Sequence, residues 1–96
     1  MIRHSVILKL KDDISTDEKQ AFFDAVDKLA NIEGVQKFEV LKQISTKNHF
    51  EYGISMEFDT TEQYDFYSNH PIHVAFVENF WIKSVADFLE IDYELN

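Results

Sequence analysis

Two histidines stand three residues apart on either side of a proline, in the segment His70-Pro71-Ile72-His73. Proline is favoured at the first position of an α-helix, because its missing N–H would have no partner there. The segment therefore predicts a helix that begins at Pro71, with His70 at the cap position and His73 in the first turn. The positive end of the helix dipole disfavours a second positive charge nearby. We therefore expect a neutral imidazole here, which can accept a proton.

A metal site is the obvious alternative use of these two histidines. A spacing of three residues can place two ligands on one face of a helix. His70, however, lies outside the predicted helix, the chain contains no cysteine, and no third ligand is evident in the sequence. Neither a glycine-rich phosphate loop nor a nucleophile elbow occurs. The sequence therefore predicts neither a bound metal ion nor a cofactor.

A third histidine lies on the opening strand. Residues 2–11 alternate between two faces, as in a strand with one buried face. His4 is the only polar residue on the face predicted to be buried. Such a histidine is either hydrogen-bonded within the core or part of a pocket wall. The aromatic residues of the second half offer the same two interpretations, a helix–sheet core or an aromatic-lined pocket. They include Tyr64, Tyr67, Phe76, Phe80 and Trp81.

The composition is that of a folded protein, and we predict one domain over residues 1–96. Apolar residues make up 45% of the chain and aromatic residues 15%, enough to fill one core. The absence of cysteine excludes disulfides and fits a reducing, cytoplasmic location. No run approaches the roughly 20 apolar residues of a membrane span. The opening segment lacks the cleavage site of a signal peptide.

The net charge of −9 is unevenly distributed. Residues 1–48 carry eight basic and eight acidic side chains, whereas residues 49–96 carry ten acidic side chains and one basic side chain, Lys83. An acidic half of this kind repels phosphate groups, so we expect neither nucleic acid nor an anionic membrane surface as a partner. A solubilising surface is the simplest interpretation.

Apolar periodicity and capping residues predict the order strand, helix, strand, strand, helix, strand. Ser15 with Glu18 forms a capping box, and Asp59 with Glu62 caps the second helical region. The predicted strands are 2–11, 35–44, 50–58 and 85–93, and the predicted helical pieces are about 16–30, 59–68 and 71–83. This order indicates an α+β, ferredoxin-like βαββαβ plan with helices on one face of an antiparallel sheet. The residues expected in its core are Phe22, Val26, Leu29, Ile54, Met56, Val77 and Phe80.

The sequence also makes predictions about the second strand and about the uncovered face of the sheet. The second strand is expected to place Phe38, Val40 and Ile44 on one face. The sheet face without helices is expected to be mixed in sign and partly apolar, so it can be solvated or can meet a copy of itself. Sequence alone slightly favours solvent. The residues expected on it are Arg3, Ser5, Ile7, Lys9, Glu51, Ser55 and Glu57.

The chain resembles the stress-responsive dimeric α/β-barrel (Dabb) domain family over nearly its whole length. The most specific matching block is His70-Pro71-Ile72-His73-Val74-Ala75-Phe76, and residues 2–11, 50–58 and 88–93 also match. The resemblance implies a homodimer whose two ferredoxin-like subunits place their sheets face to face in a barrel. It therefore favours pairing, not solvation, of the uncovered sheet face.

A plant branch that is similar to this family folds and cyclises linear polyketides without a cofactor. The resemblance places its active-site histidine at His73 as general base and its tyrosine at Tyr67, where the hydroxyl would polarise a carbonyl oxygen. A pocket histidine of that branch corresponds to His4, and another is replaced at about Tyr52. The candidate ligand-binding residues are therefore His4, Tyr52, His70, Phe76 and Trp81.

The sequence leaves two classes of function open. One is binding of a small, largely apolar ligand between sheet and helices, with cofactor-free acid–base chemistry on a carbonyl compound. The other is non-catalytic, stress-related binding or assembly by a stable dimer. A small dimeric α/β-barrel oxygenase is a third class, supported by fold analogy alone. A cavity of about 300 Å³ or more lined by His4, Tyr67 and His73 would favour the first class.

Overall fold

A computed structural model describes residues 1–95 of the chain. It begins with strand β1 (Ile2–Leu10), whose alternation buries His4, Val6, Leu8 and Leu10 on one face. Helix α1 (Thr16–Lys28) follows, and its start is fixed by the predicted capping box. The Ser15 hydroxyl accepts the Glu18 N–H, and the Glu18 carboxylate accepts the Ser15 N–H. A 3₁₀ turn (Leu29–Asn31) ends this segment.

Four antiparallel strands form one sheet with the order β2-β3-β1-β4. The other three strands are β2 (Gln36–Lys42), β3 (Tyr52–Phe58) and β4 (Val85–Glu94). The order places the first and third strands at the centre and leaves β2 and β4 as edges. The helices cover one face of this sheet, so the predicted α+β, ferredoxin-like architecture is confirmed.

The second helical region begins one residue later than predicted. Thr60, not Asp59, is the N-cap of α2 (Thr61–Asn69), and its hydroxyl accepts the Gln63 N–H. The Asp59 carboxylate makes no capping bond in the described chain; instead, its backbone N–H donates to the Gln63 side chain. The reason is spacing, because Thr60 stands three residues before the N–H that needs an acceptor.

The third helical region starts at Pro71 as predicted, but it is not a uniform α-helix. It consists of α3 (Pro71–Phe76), a π-helical turn (Val77–Trp81) and a short α4 (Ile82–Ser84). The Ile82 N–H donates to the Val77 carbonyl, five residues back. In a π turn, side chains about five residues apart point in the same direction, compared with three or four residues in an α-helix. Trp81 therefore lies above Phe76 on the inward side of this region.

The core lies between the sheet and the helices. Phe22, Val26, Leu29, Ile54 and Met56 are buried as predicted. The prediction for the third helical region was less accurate, since Val77 and Phe80 are only partly buried and pack at the edge of the core. Phe76 is buried instead. The π turn accounts for the difference, because it changes which positions face inward.

The two edge strands depart from simple alternation. Strand β2 ends at Lys42, so the prediction that Ile44 shares one strand face with Phe38 and Val40 was wrong, and Ile44 is 86% exposed. The register of β2 shifts between Gln36 and Glu39, where Lys37 has a φ of 49°. In β4 the register shifts next to Val85, and this bulge explains why apolar and polar residues alternate poorly over residues 85–89.

The sheet face opposite the helices is open in the subunit, and we call it the open face. Its polar residues include Ser5 and Ser55, whose hydroxyls lie 3.3 Å apart, and Glu57, which is paired with Arg3. It is more apolar than predicted, because alternate residues of β2 and β4 add to Ile7. Its apolar side chains are Ile7, Leu41, Leu89, Ile91 and Tyr93. No helix within residues 1–95 is long and apolar enough to cross a bilayer.

Candidate functional site

A cavity of about 390 Å³ lies between the sheet and the helices α2 and α3 with the π turn. Its walls are mostly apolar, and they are formed by Val6, Leu29, Ile54, Met56, Phe76, Val77, Trp81, Ile82 and Phe88. The polar residues that line it are His4, Tyr64, Tyr67, Ser68, His73 and Glu90. Ligand sites in proteins usually combine an apolar wall with a few convergent polar groups. This cavity has both features.

Tyr67 and His73 come together on one side of the cavity, although a helix break separates them in sequence. The Tyr67 and His73 ring centroids are 4.6 Å apart. The chain reaches this geometry because α2 ends at Asn69 and α3 begins at Pro71, and the first turn of α3 then contacts the last turn of α2. The predicted approach of these two side chains is therefore present.

The Tyr67 side chain is buried but its hydroxyl makes no hydrogen bond to another group within residues 1–95. Burial, with a smaller effect of the Glu90 charge, raises the pKa of Tyr67 well above the usual value for tyrosine. The hydroxyl therefore stays protonated at neutral pH. It is a hydrogen-bond donor that is available to a molecule in the cavity.

His73 has a defined tautomer in its neutral form. Its Nδ1 lies 2.9 Å from the Ser68 carbonyl oxygen, which can only accept, so Nδ1 carries the proton. The lone pair of the neutral ring is then on Nε2. Burial lowers the pKa of His73, and the nearby His4 lowers it further, whereas the Ser68 carbonyl and Glu90 act in the opposite direction. The ring is therefore a neutral proton acceptor at pH 7, as the sequence predicts, but burial is the principal cause.

His4 is the centre of a polar network in the cavity wall, and its ring centroid lies 6.2 Å from that of Tyr67. Its Nδ1 lies 2.6 Å from Asp92 Oδ1 and 2.9 Å from the Tyr64 hydroxyl oxygen. The Tyr64 hydroxyl lies 2.8 Å from Asp92 Oδ2 and 3.2 Å from Glu90 Oε1. Burial and the Asp92 hydrogen bond raise the pKa of Tyr64 well above its usual value. Tyr64 therefore keeps its proton, which the hydroxyl can donate to either of the two carboxylates.

The predicted site residues fall into two groups. His4, Tyr67, His73, Phe76 and Trp81 all line the cavity. Tyr52 and His70 are not among its lining residues. Tyr52 packs on Phe23, with ring centroids 4.8 Å apart. The His70 Nδ1 accepts the Ile72 N–H, which makes it the cap of α3, and its ring contacts Phe66.

The sequence interpretation missed three members of the site. Tyr64 was assigned to an aromatic group that could form either a core or a pocket but was not named as a site residue, and Glu90 and Asp92 were counted only as surface charge. A signal was available, because Phe88, Glu90 and Asp92 alternate along β4 and therefore share one face. Pairing of His4 with Asp92 across β1 and β4 brings that face to the cavity.

Within the described residues, one group could hold a metal ion. His4, Glu90 and Asp92 each offer a ligand atom, and these atoms lie within 4.8 Å of one another. Within residues 1–95, His4 and Asp92 are hydrogen-bonded to each other and to Tyr64, whereas Glu90 contacts this network through the Tyr64 hydroxyl at 3.2 Å. The neutral His70 ring has no lone pair left for a metal ion, because its Nδ1 accepts the Ile72 N–H and its Nε2 then carries the proton.

Comparison with known proteins gives a family match over almost the whole chain. The model of the family described as the stress-responsive A/B barrel domain (Dabb) matches residues 2–95. Olivetolic acid cyclase of Cannabis sativa is 30% identical over 89 residues, which cover 85% of this chain and 88% of that protein.

Two crystal structures share the architecture. A Dabb family protein with a ferredoxin-like fold from Mesorhizobium loti is 45% identical, with a TM-score of 0.91 and coverage of 99% of this chain and 96% of that chain. A dimeric protein of unknown function from Bacteroides fragilis, also with a ferredoxin-like fold, is 26% identical. Its TM-score is 0.75, with coverage of 98% of this chain and 95% of that chain.

Proposed function

The chain belongs to the stress-responsive A/B barrel (Dabb) domain family, and we propose that it binds a small, largely apolar carbonyl compound and catalyses proton transfer on it without a cofactor. One observation carries this proposal. The cavity of about 390 Å³ holds a buried donor, Tyr67, beside a proton acceptor, His73, in a mostly apolar wall. That combination suits a ligand with an apolar body and one reactive polar group.

The proposed chemistry follows from the states of the two side chains. The Tyr67 hydroxyl donates a hydrogen bond to the carbonyl oxygen and stabilises the negative charge that develops on it. His73 Nε2 accepts a proton from the carbon beside the carbonyl, and the electron pair of that C–H bond forms the enolate. Return of the proton from Nε2 to carbon completes the cycle. The likeness to a cyclase at 30% identity supports this class of reaction.

The protein acts as a homodimer in this proposal, joined through the open face. The apolar side chains there, among them Leu41 and Leu89, are about half exposed in the subunit. Apolar area of this extent on one side of a sheet is typical of an interface. The dimeric description of the Bacteroides fragilis structure supports the same arrangement. One domain over residues 1–96 and a cytoplasmic location remain predictions from the sequence.

Binding is tested with N-phenyl-1-naphthylamine, an uncharged dye whose emission rises in an apolar site. We expect enhanced dye emission with the native protein. The cavity-filling change Val77→Phe should weaken dye binding by about tenfold or more. Val77 lines the cavity, so the added ring would occupy space that the dye needs. Val74→Phe is the matched control, since Val74 lies in α3 and does not line the cavity. Equal binding by both variants would contradict binding in this cavity.

Catalysis is tested by deuterium exchange at the carbon beside the carbonyl of 1-indanone, followed by NMR in D₂O. We expect the protein to accelerate exchange, and His73→Gln or Tyr67→Phe to lower the rate by at least about tenfold, the lower part of the range for acid–base groups. His49→Gln should leave the rate unchanged, because His49 is an exposed loop residue paired with Asp87. Dye binding without accelerated exchange would favour the non-catalytic binding function.

A further inference from the structure

Among lysine, arginine, aspartate and glutamate residues, those at the cavity are all acidic. Glu90 lines the cavity, and Asp92 lies on the same face of β4, bonded to His4. No lysine or arginine lines the cavity in the described part of the chain. Lys83 is near in sequence, but its side chain is 68% exposed and its ammonium group lies 4.0 Å from the Glu18 carboxylate. Nothing in the wall is therefore arranged to neutralise an anionic ligand.

The histidine of the network does not change the sign of this charge. His4 Nδ1 lies 2.6 Å from Asp92 Oδ1 and 3.8 Å from Glu90 Oε1. Even when His4 is protonated, two carboxylates face one imidazolium, so the group remains negative. The apolar wall strengthens this field, because charges interact more strongly where water is excluded.

The mouth of the cavity has an apolar side and an acidic side. Ile82 and Phe88 line the cavity and are 66% and 50% exposed, so they reach the surface. Glu90 follows Phe88 by two residues on the same face of β4, with its side chain 52% exposed. A ligand that lies along this strand would meet an aromatic ring first and carboxylate oxygens next.

We infer that the cavity selects apolar ligands that carry an amine or hydroxyl donor toward Glu90 and Asp92, and that it excludes ligands with a carboxylate or phosphate there. This inference rests on the proposed binding function and names its ligand class. Carboxylate oxygens can only accept hydrogen bonds, so a donor on the ligand completes the network. An anionic group would instead bring like charge into a partly desolvated site.

The experiment compares three ligands that share one ring system. Displacement of N-phenyl-1-naphthylamine is measured at pH 7 with 1-naphthylmethylamine, 1-naphthalenemethanol and 1-naphthaleneacetate. We expect the amine to bind best and the carboxylate to bind about tenfold or more weaker than the alcohol, the effect of one like charge at a few ångströms where water still screens the carboxylates. The difference should shrink as salt concentration rises, because Glu90 is half exposed.

The variant Glu90→Gln identifies the group responsible. It keeps an acceptor for Tyr64 but removes the charge, so the preference for the amine over the carboxylate should fall several-fold. Glu33→Gln removes an equal charge outside the cavity lining and should preserve the preference. Equal affinity of the native protein for all three ligands would overturn the inference while leaving cavity binding intact. Failure of the neutral alcohol to displace the dye would instead contradict the proposed function.

Discussion

His73 is the residue on which the proposed chemistry most depends. Its ring is half-buried beside Tyr67, and its Nδ1 proton is donated to the Ser68 carbonyl oxygen. Because burial lowers its pKa, we predict an NMR titration midpoint below the usual value of about 6.5. The His73→Gln variant assigns the signal by its loss. A midpoint at or above the usual value would contradict the proposal that His73 is a neutral base.

The lowered pKa of His73 makes the stability of the protein depend on pH. The unfolded chain takes up a proton at this imidazole as pH falls through about 6.5, whereas the folded chain resists protonation until a lower pH. The unfolded state then binds more protons, so the native protein loses stability over this interval as pH falls. His73→Gln lacks this loss.

Single residues of the site were predictable where their type is unusual for their position. His4 is the one polar residue on a buried strand face, and the His70-Pro71 pair marks a helix start. Glu90 and Asp92 could not be identified in this way, because acidic residues are ordinary on an exposed edge strand. Only the pairing of β1 with β4 brings them to His4.

Helices α1 and α3 with the π turn should differ in how much their aromatic residues stabilise the fold. Phe22 of α1 is fully buried, whereas Phe80 of the π turn is partly buried. We predict that Phe22→Ala lowers the free energy of unfolding by about 3–5 kcal/mol. Phe80→Ala should cost about 1–2 kcal/mol, in proportion to its smaller buried area. Urea unfolding measures both, and equal losses would show that the π turn is wrongly placed.

The helices could be predicted where capping residues and proline mark their starts. The irregular parts of helices and strands could not be predicted in this way. The capping box at Ser15 and the proline at position 71 each set a helix start that the structure confirms. The π turn and the bulge at Lys37 leave no comparable signal, and the bulge near Val85 appears in the sequence only as poor alternation. These departures determine which side chains of the third helical region and of β4 reach the cavity.

At the scale of the whole molecule, the proposal is that two subunits assemble through the open face. We predict that the native protein sediments as a dimer at micromolar concentration. Leu89→Glu, on the open face, should shift it to the monomer, because a two-fold interface would place two introduced charges in apolar surroundings. Ile72→Glu is the control, since Ile72 is similarly exposed on the helical side. A native monomer, or a dimer unaffected by Leu89→Glu, would contradict assembly through this face.

The chain contains two methionines, and their positions allow ligand binding to be located in one experiment. Met56 lines the cavity from the centre of the sheet and is 1% exposed, whereas Met1 is 45% exposed and lies outside the cavity lining. In protein labelled with ¹³C at the methionine methyl groups, each residue gives one NMR signal.

The most direct test of the account is a titration of this labelled protein with 1-naphthalenemethanol. Aromatic rings shift the resonances of methyl groups that they contact, so a ligand in the cavity should move the Met56 signal progressively and saturably while the Met1 signal stays in place. Val77→Phe should weaken the response. A Met56 signal that does not move while the ligand binds would contradict the central claim that this cavity is the ligand site.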